Sequence, residues 1–367
     1  MDIELHSPLR GSKVNIWREF LAKAGLAAQE DARQTALVWE DGQLIATGSR
    51  TGNLLKYIAV DPAHQGEGLL AKVLTALRQE AFREGHSQLF LYTKPVNEPL
   101  FADLMFYPVA QTGDVLLMED VRDGIHRFIK QLPAGAHTGK VGAAVMNCDP
   151  FTLGHQYLVE TAAKACDWLY VFVLSEDQGH FSAADRLEMV RRGTAHLNNV
   201  TVLPTGPYLI SSATFPTYFL KNRDQADQIH CQLDVEIFAR HFAPAFSIQT
   251  RFVGTEPLSP LTEQYNEVLK AQLPTRGIGV EEIPRLTQGN VPVSASAVRA
   301  ALAAKDRQTL RALVPQTTLL IWKTSFSYRK ENILWQKDAQ LTFSAAILPP
   351  VVITVCMPWV CRSPSCT

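Results

Sequence analysis

AAVMNCDPFTLGHQYLVE, residues 143–160, changes character twice within a short span. Its start, with the preceding Val141 and Gly142, is an apolar run of the kind that fills a parallel strand covered on both faces. Asn147-Cys148-Asp149-Pro150 has turn composition. From Leu153 onward apolar residues return at helical spacing. A strand, a tight polar loop and a helix start in immediate succession suit an anion, because main-chain N–H groups and the positive dipole end converge at a helix N-terminus. Thr152 and His155 can donate to phosphate oxygens there, and so can Asn147 at the strand tip. Such a site needs no covalent nucleophile, since positioning and electrostatic stabilisation carry phosphoryl-type transfer.

A lone histidine at a helix start is more often structural than catalytic. A second block answers it at the far end of the same region. VSASAVR, residues 293–299, places Ser294 and Ser296 where they can cap a helix and meet phosphate. Arg299 follows one turn later, able to clamp phosphate with its planar fork. Between the blocks, strand-like runs alternate with helical ones. DWLYVFVLSED, VTVLP, RFVGTEP and VEEIPRL read as strands, and AADRLEMVRRGTAHL reads as a helix. Such alternation implies a parallel α/β sheet with right-handed crossovers. Arg186, after the second strand, is a further phosphate candidate. Gly254, at a strand's carboxyl end where α/β ligands bind, is an adenosine-contact candidate.

Residues before this region read differently. Asn15–Ala28 has an amphipathic helical pattern, and Asp41-Gly42 between two apolar alternations marks a hairpin. NLLKYIAV, residues 53–60, is a strand, followed by Gln65-Gly66-Glu67-Gly68 and a long helix carrying Leu69, Val73, Leu77 and Ala81 at helical spacing. Two glycines let a main chain approach an anion closely.

These blocks carry family resemblances. The V-D-P-x-x-Q-G-x-G loop after a strand resembles the acetyl-CoA loop of GNAT-type acyltransferases, departing from it at Leu70, where a small residue is usual. That resemblance makes Gln65, Gly66 and Gly68 an acyl- or CoA-type loop. TLGH and SASAVR resemble the T/H-x-G-H and I-S-S-T-x-x-R signatures of the nucleotidyltransferase superfamily. They imply catalytic roles for His155 and Thr152. They also imply nucleotide contacts from Asn147, Phe151, Gly154, Arg186, Gly254, Ser294, Ser296 and Arg299. The pairing of the two regions, with ISSATFPTYFLK and LDVEIF between the signatures, resembles the citrate lyase ligase family. The expected fold is therefore α/β, a GNAT-like α+β domain over residues 1–122 and a Rossmann-like parallel-sheet nucleotidyltransferase domain over 138–318.

The resemblance implies ATP and Mg2+ as cofactors. It implies activation of acetate as acetyl-adenylate, then acetylation of the prosthetic-group thiol of the citrate lyase acyl carrier protein, with release of AMP and pyrophosphate. The residues alone argue for adenylyl transfer. An adenylyltransferase making a nucleotide cofactor, and a CoA-dependent acetyltransferase with a nucleotide-sensing domain, stay open beside it, as does a non-catalytic carrier-binding module. Within ISSATFPTYFLK, Ile210, Phe215, Tyr218, Phe219 and Leu220 suffice to fill a core. Ser211, Ser212 and Lys221 are the polar positions that could face substrate, Lys221 foremost.

Bulk properties narrow the class. The 367 residues carry 35 basic and 36 acidic side chains, a formal net charge of -1, which lacks the footprint of a nucleic-acid binder. Asp2 and Glu4 after Met1 are unlike a signal peptide, and six cysteines without a CxxC pair argue against a disulfide framework or a zinc ribbon. A reduced cytoplasmic protein without a metal centre is expected. Residues 319–367 are atypical. Ala339–Cys361 carries no charge, but Pro349-Pro350 breaks any membrane-spanning helix. This stretch is expected to lie outside the working enzyme, as an aberrant C-terminus would.

Overall fold

A computed structural model describes residues 2–29, 31–135, 137–177, 179–211, 215–220, 225–256, 259–288 and 291–324. Two sheets organise them. The first holds β1 (Asp2–His6), β2 (Gln34–Glu40), β3 (Gln43–Thr51), β4 (Leu54–Val60), β5 (Phe90–Thr93), β6 (Tyr107–Gln111) and β7 (Leu116–Glu119). Their order is β1-β2-β3-β4-β5-β7-β6, antiparallel except for β4 beside β5. Asp41 and Gly42 both take positive φ, 48° and 78°, in the two-residue turn joining β2 and β3, as the Asp-Gly signal requires.

Helix α1 (Lys13–Lys23) lies on one face of this sheet, and α2 (Leu69–Arg83) lies on the other. In α2, Leu69, Val73, Leu74, Leu77 and Ala81 are buried against Ala36, Val38, Leu91 and Met118. The short α3 (Glu98–Ala102) precedes β6, and α4 (Gly124–Gln131) leads out of the region.

The second sheet is wholly parallel. It holds β8 (Val141–Met146), β9 (Trp168–Val173), β10 (Val200–Pro204), β11 (Thr250–Gly254) and β12 (Gly279–Ile283) in the order β10-β9-β8-β11-β12. Strand order reverses between β8 and β11, so a crevice opens at their carboxyl ends. This is the α/β architecture read from the sequence. Helices α5 (Leu153–Lys164) and α6 (Ala183–Thr194) cover one face. The opposite face meets α7 (Ala226–Ile237), a π-helical turn at Phe238–Phe242, the short α8 (Ala243–Ala245) and α9 (Pro260–Gln272). A small hairpin, β13 (Thr287–Gln288) and β14 (Val291–Pro292), precedes α10 (Ala295–Ala303), α11 (Arg307–Leu313) and α12 (Gln316–Thr324).

One hydrophobic core is common to both sheets. Tyr57, Phe90, Tyr92 and Leu117 from the first share it with Ala143, Tyr170 and Phe172 from the second. Between β10 and α7, the described residues Tyr208, Phe215, Tyr218 and Phe219 are all buried and belong to this core. The packing role expected of Phe215, Tyr218 and Phe219 is observed. Polar bonds cross the same seam. The Tyr208 hydroxyl donates to Glu119 Oε2 at 2.7 Å, and the Ala27 N–H donates to the Tyr218 carbonyl at 3.0 Å. Burial raises the Glu119 carboxyl above its ordinary range, opposed by the Tyr208 hydroxyl.

Two expectations change. Helix α12 runs across the boundary placed at residue 318. Ile321 and Trp322 are buried, and the Trp322 ring stacks on Phe181 at 5.3 Å and 10°. Helix α12 packs on α6, because its apolar face finds there a groove that tail composition alone does not reveal. The first helix is also shorter than expected. It ends at Lys23, and Gly25 follows with φ 71°, a helix stop. No helix among the described residues is long and apolar enough to cross a membrane. Residues 325–367, with the charge-free run, lie outside the described residues.

Candidate active site

The loop from Asn147 to Thr152 leaves β8 at the point where strand order reverses. Thr152 is the N-cap of α5, and its side chain accepts the His155 N–H at 3.2 Å. In return His155 Nδ1 accepts the Thr152 N–H at 3.1 Å. This reciprocal capping fixes the tautomer: with Nδ1 accepting, the neutral ring carries its proton on Nε2. Burial, and then the charge of Arg285, push the His155 pKa down to about 4. The ring is thus a neutral N–H donor at neutral pH.

Phe151 was expected to contact the nucleotide. Its side chain is wholly buried and stacks beneath the His155 ring at 5.9 Å and 16°. Gly193 makes room for it, since a Cβ there would lie 2.3 Å from the Phe151 ring. The phenyl group therefore supports the histidine from below.

Arg186 is tied into the loop itself. It is 1% exposed and donates to the Asn147 carbonyl at 2.8 Å, to the Asn147 side-chain oxygen, and to the carbonyls of Phe181 and Glu176. Its guanidinium is committed to shaping the loop. With Oδ1 of Asn147 held by a group that only donates, the side-chain amide nitrogen is what this exposed residue keeps as a donor. Asp149 holds the loop from the other side, accepting the N–H groups of His180 and Phe181, each at 3.0 Å.

The two signature blocks meet. A Cβ on Gly154 would stand 3.0 Å from the Val293 carbonyl, so the glycine permits that approach. Ser294 caps α10 by accepting the Ala297 N–H at 3.0 Å. Arg299 donates to the Asp149 carbonyl at 2.6 Å and to Ser296 Oγ at 3.1 Å. Gly254 ends β11 beside Leu158, with its carbonyl accepting from Asn266 at 2.9 Å. The N-termini of α5 and α10, Asn147, His155 and Arg299 are thus brought close together at the carboxyl end of β8. Lys221 and Ser212 lie outside the described residues, and Ser211 bonds to Glu176 through N–H and hydroxyl at 3.0 and 2.7 Å.

Sequence reading missed Arg285. It follows β12, pairs with Glu256 beyond β11, and donates to the Val293 carbonyl at 3.4 Å. Its one sequence signal was its place just past a strand's carboxyl end.

In the first region, Gly66 and Gly68 take positive φ, 87° and 75°, and Gly68 is the N-cap of α2. With Gln65 they line a cleft of about 1380 Å³ whose wall includes Tyr218 and Phe219.

Comparison with known proteins agrees with both regions. A family model described as citrate lyase ligase C-terminal domain matches residues 141–321, and one for the acetyltransferase (GNAT) family matches residues 8–102. The citrate (pro-3S)-lyase ligase of Klebsiella pneumoniae is 45% identical over 306 residues, covering 82% of this chain and 90% of that protein. The Escherichia coli K12 protein of that name is 38% identical over 308 residues, 82% of this chain and 88% of its own. A phosphopantetheine adenylyltransferase of Symbiobacterium thermophilum shares 39% identity over 67 residues, 18% of this chain and 41% of its own. With two signature blocks joined at one crevice and such coverage of its relatives, the chain belongs to the citrate (pro-3S)-lyase ligase family.

Proposed function

We propose that this chain is an acid–thiol ligase that uses ATP to activate acetate and then acetylates the prosthetic-group thiol of the citrate lyase acyl carrier protein. In the first step an acetate oxygen attacks the α-phosphorus of ATP and pyrophosphate leaves. In the second the acceptor thiolate attacks the acetyl carbonyl and AMP leaves, the thiol proton passing to solvent. The observation that carries this reading is the meeting of Gly154 with Val293 and of Arg299 with Asp149, which gathers the donors of both blocks at the switch point.

Each donor has a separate task. The Nε2–H of His155 and the amide of Asn147 hold phosphate oxygens as charge builds on them. The first N–H groups of α5 and α10 add fixed positive potential. Thr152 orients His155, Arg186 orients Asn147, and Arg299 binds the block together while offering its remaining donors. The donor set, neutral or cationic throughout, fits a polyphosphate. Among the described residues no cluster of three His, Cys, Asp or Glu side chains could cage a metal. Mg2+ binds chiefly through substrate phosphates and water, so it would enter with ATP and neutralise the triphosphate.

The test is AMP release, followed by mass spectrometry with and without acetate, in the presence of the holo carrier protein. Acetate-dependent AMP together with acetylated carrier is expected. ATP consumption with a phosphorylated cosubstrate and no acetate requirement would instead mark a cofactor-making adenylyltransferase.

A further inference from the structure

One ion pair near the signature blocks has no task in the steps proposed above. Strands β11 and β12 run parallel, and their bonding continues past Gly254 and Ile283. The Thr255 N–H donates to the Ile283 carbonyl at 2.9 Å, and the Arg285 N–H donates to Thr255 Oγ1 at 2.9 Å. The main chain thereby fixes Glu256 and Arg285 as neighbours, each just beyond a strand's carboxyl end, where ligands of α/β sheets bind. Arg285 Nη1 donates to Glu256 Oε1. The pair is partly enclosed, with 22% of the arginine side chain and 13% of the glutamate side chain exposed.

Arg285 also reaches the place where the two blocks meet. Its Nε donates to the Val293 carbonyl at 3.4 Å, the same carbonyl that Gly154 admits to the start of α5. Val293 immediately precedes Ser294, the N-cap of α10, and its N–H donates to the Leu286 carbonyl at 3.0 Å. The guanidinium is therefore held beside the N-termini of both helices. Its charge is felt at His155, where it joins burial in holding the ring's pKa down.

Three arginines near this point differ in what they have left to give. Arg186 is 1% exposed, and its donors are taken by oxygens of Asn147, Phe181 and Glu176. Arg299 gives Nη1 to the Asp149 carbonyl and Nη2 to Ser296. Arg285 gives Nε to a carbonyl and Nη1 to a carboxylate, and its Nη2 makes no hydrogen bond among the described residues. A guanidinium fork takes a carboxylate or a phosphate with the same geometry. Glu256 thus occupies a partner position that a phosphate can take over.

We propose that Arg285 is a further phosphate-binding residue of the activation step, exchanging Glu256 for the phosphates of ATP that leave as pyrophosphate and returning to Glu256 when pyrophosphate departs. The inference rests on the use of ATP proposed above. Position assigns it to the leaving phosphates: Asn147 and His155 serve the reacting one, while Arg285 is joined through Val293 to the start of α10. No covalent bond changes in the exchange. The cation meets the leaving group as its charge grows, and the competing carboxylate keeps the product from being held.

Pyrophosphate, ATP and AMP, each titrated calorimetrically into the full chain without acetate, read the exchange directly. Arg285→Gln should weaken pyrophosphate and ATP by about tenfold or more, the equivalent of one lost favourable contact. Glu256→Gln should tighten pyrophosphate severalfold, because the competitor has lost its charge. The double variant should bind pyrophosphate as weakly as Arg285→Gln alone, and AMP should bind all of these chains nearly alike. Arg285→Lys keeps the charge without the fork and should recover part of the affinity. An ion pair that serves only the fold gives another pattern: both single variants would melt lower and weaken ATP alike. That pattern would overturn the proposal, as would a wild-type pyrophosphate Kd in Arg285→Gln, or an AMP Kd that rises there as much as that of pyrophosphate. The use of ATP fails separately, if the wild-type chain binds neither ATP nor pyrophosphate.

Discussion

At the scale of single residues, His155 owes its pose to Thr152. The two share reciprocal capping bonds, and Phe151 lies beneath the ring. Replacing His155 by alanine removes one preorganised donor, and acetate-dependent AMP formation is expected to fall by a hundredfold or more, on the order of other such losses. Near wild-type turnover with an unchanged melting curve would disprove the site. The same residue gives a pH signature. Its pKa falls from 6.5 unfolded to about 4 folded through burial and Arg285. Above pH 6.5 neither state carries the proton. Between pH 6.5 and 4 the unfolded chain takes it up and the folded chain does not, so stability declines as pH falls through that window. The decline is at most about 1.4 kcal/mol per unit, less for a ring only half buried. Urea midpoints at pH 7 and 5 should therefore converge in His155→Ala relative to wild type. Arg186→Ala should cost on the order of 3 kcal/mol, because four oxygens lose a charged donor, and should raise the KM for ATP by releasing Asn147. Arg186→Lys keeps the charge without the fork and should recover only part of it. That Thr152 and His155 lie together was legible because their spacing is set within one helix turn. The carbonyls that Arg186 meets were not legible, because a sequence does not distinguish an arginine facing phosphate from one facing carbonyls. Arg285 was overlooked because its partner Glu256 belongs to a different strand end.

Elements were legible where one period dominates. The Asp41-Gly42 hairpin, α2 and the strands β8, β9 and β11 follow directly from alternation, helical stripes or short apolar runs. Helix α7 did not stand out. Ile229, His230, Cys231, Leu233, Asp234, Val235 and Ile237 are all buried, so buried polar residues interrupt the apolar stripe, and only a narrow strip of Gln228, Gln232 and Glu236 stays polar and less buried. Its apolar residues belong to the core shared by both sheets. The start of α10 was readable from its serines, and its cap offers a clean test. Ser294→Ala removes the acceptor for the Ala297 N–H and should cost about 1 kcal/mol in stability. If the same cap also orders the crevice, ATP–pyrophosphate exchange should slow while Ser296→Ala, at an exposed position, leaves the melting temperature nearly unchanged. Equal and small effects of both changes on exchange would show that α10 serves packing alone.

At the scale of the whole molecule, the continuous core makes the two regions one folding unit. Tyr57, Tyr92, Phe172 and Tyr208 belong to it together, so chemical denaturation followed by near-ultraviolet dichroism and by Trp17-region fluorescence should give coincident transitions. The shared core also decides how much of the C-terminus the enzyme needs. Composition suggested a break near Thr318, yet Thr318 donates to the Phe151 carbonyl at 3.1 Å, and Ile321 and Trp322 are buried three and four residues later. Trp322 stacks on Phe181, whose N–H is bound by Asp149 of the loop after β8. Chains ending after Thr318 and after Thr324 therefore separate two accounts of this segment. Removing Leu319–Thr324 deletes a buried tryptophan and isoleucine, a loss of about 3 kcal/mol or more by analogy with large-to-small core changes, and it uncovers α6 next to the loop. The shorter chain should melt lower, bind ATP more weakly and expose apolar surface to a hydrophobic dye. The chain ending after Thr324 keeps every one of these contacts. It should retain acetate-dependent exchange at the full-length rate and gain solubility, since a charge-free run of apolar residues leaves with residues 325–367. Equal behaviour of the two truncations would show that Trp322 contributes nothing to the fold, and loss of exchange in the longer one would place residues beyond Thr324 within the working enzyme.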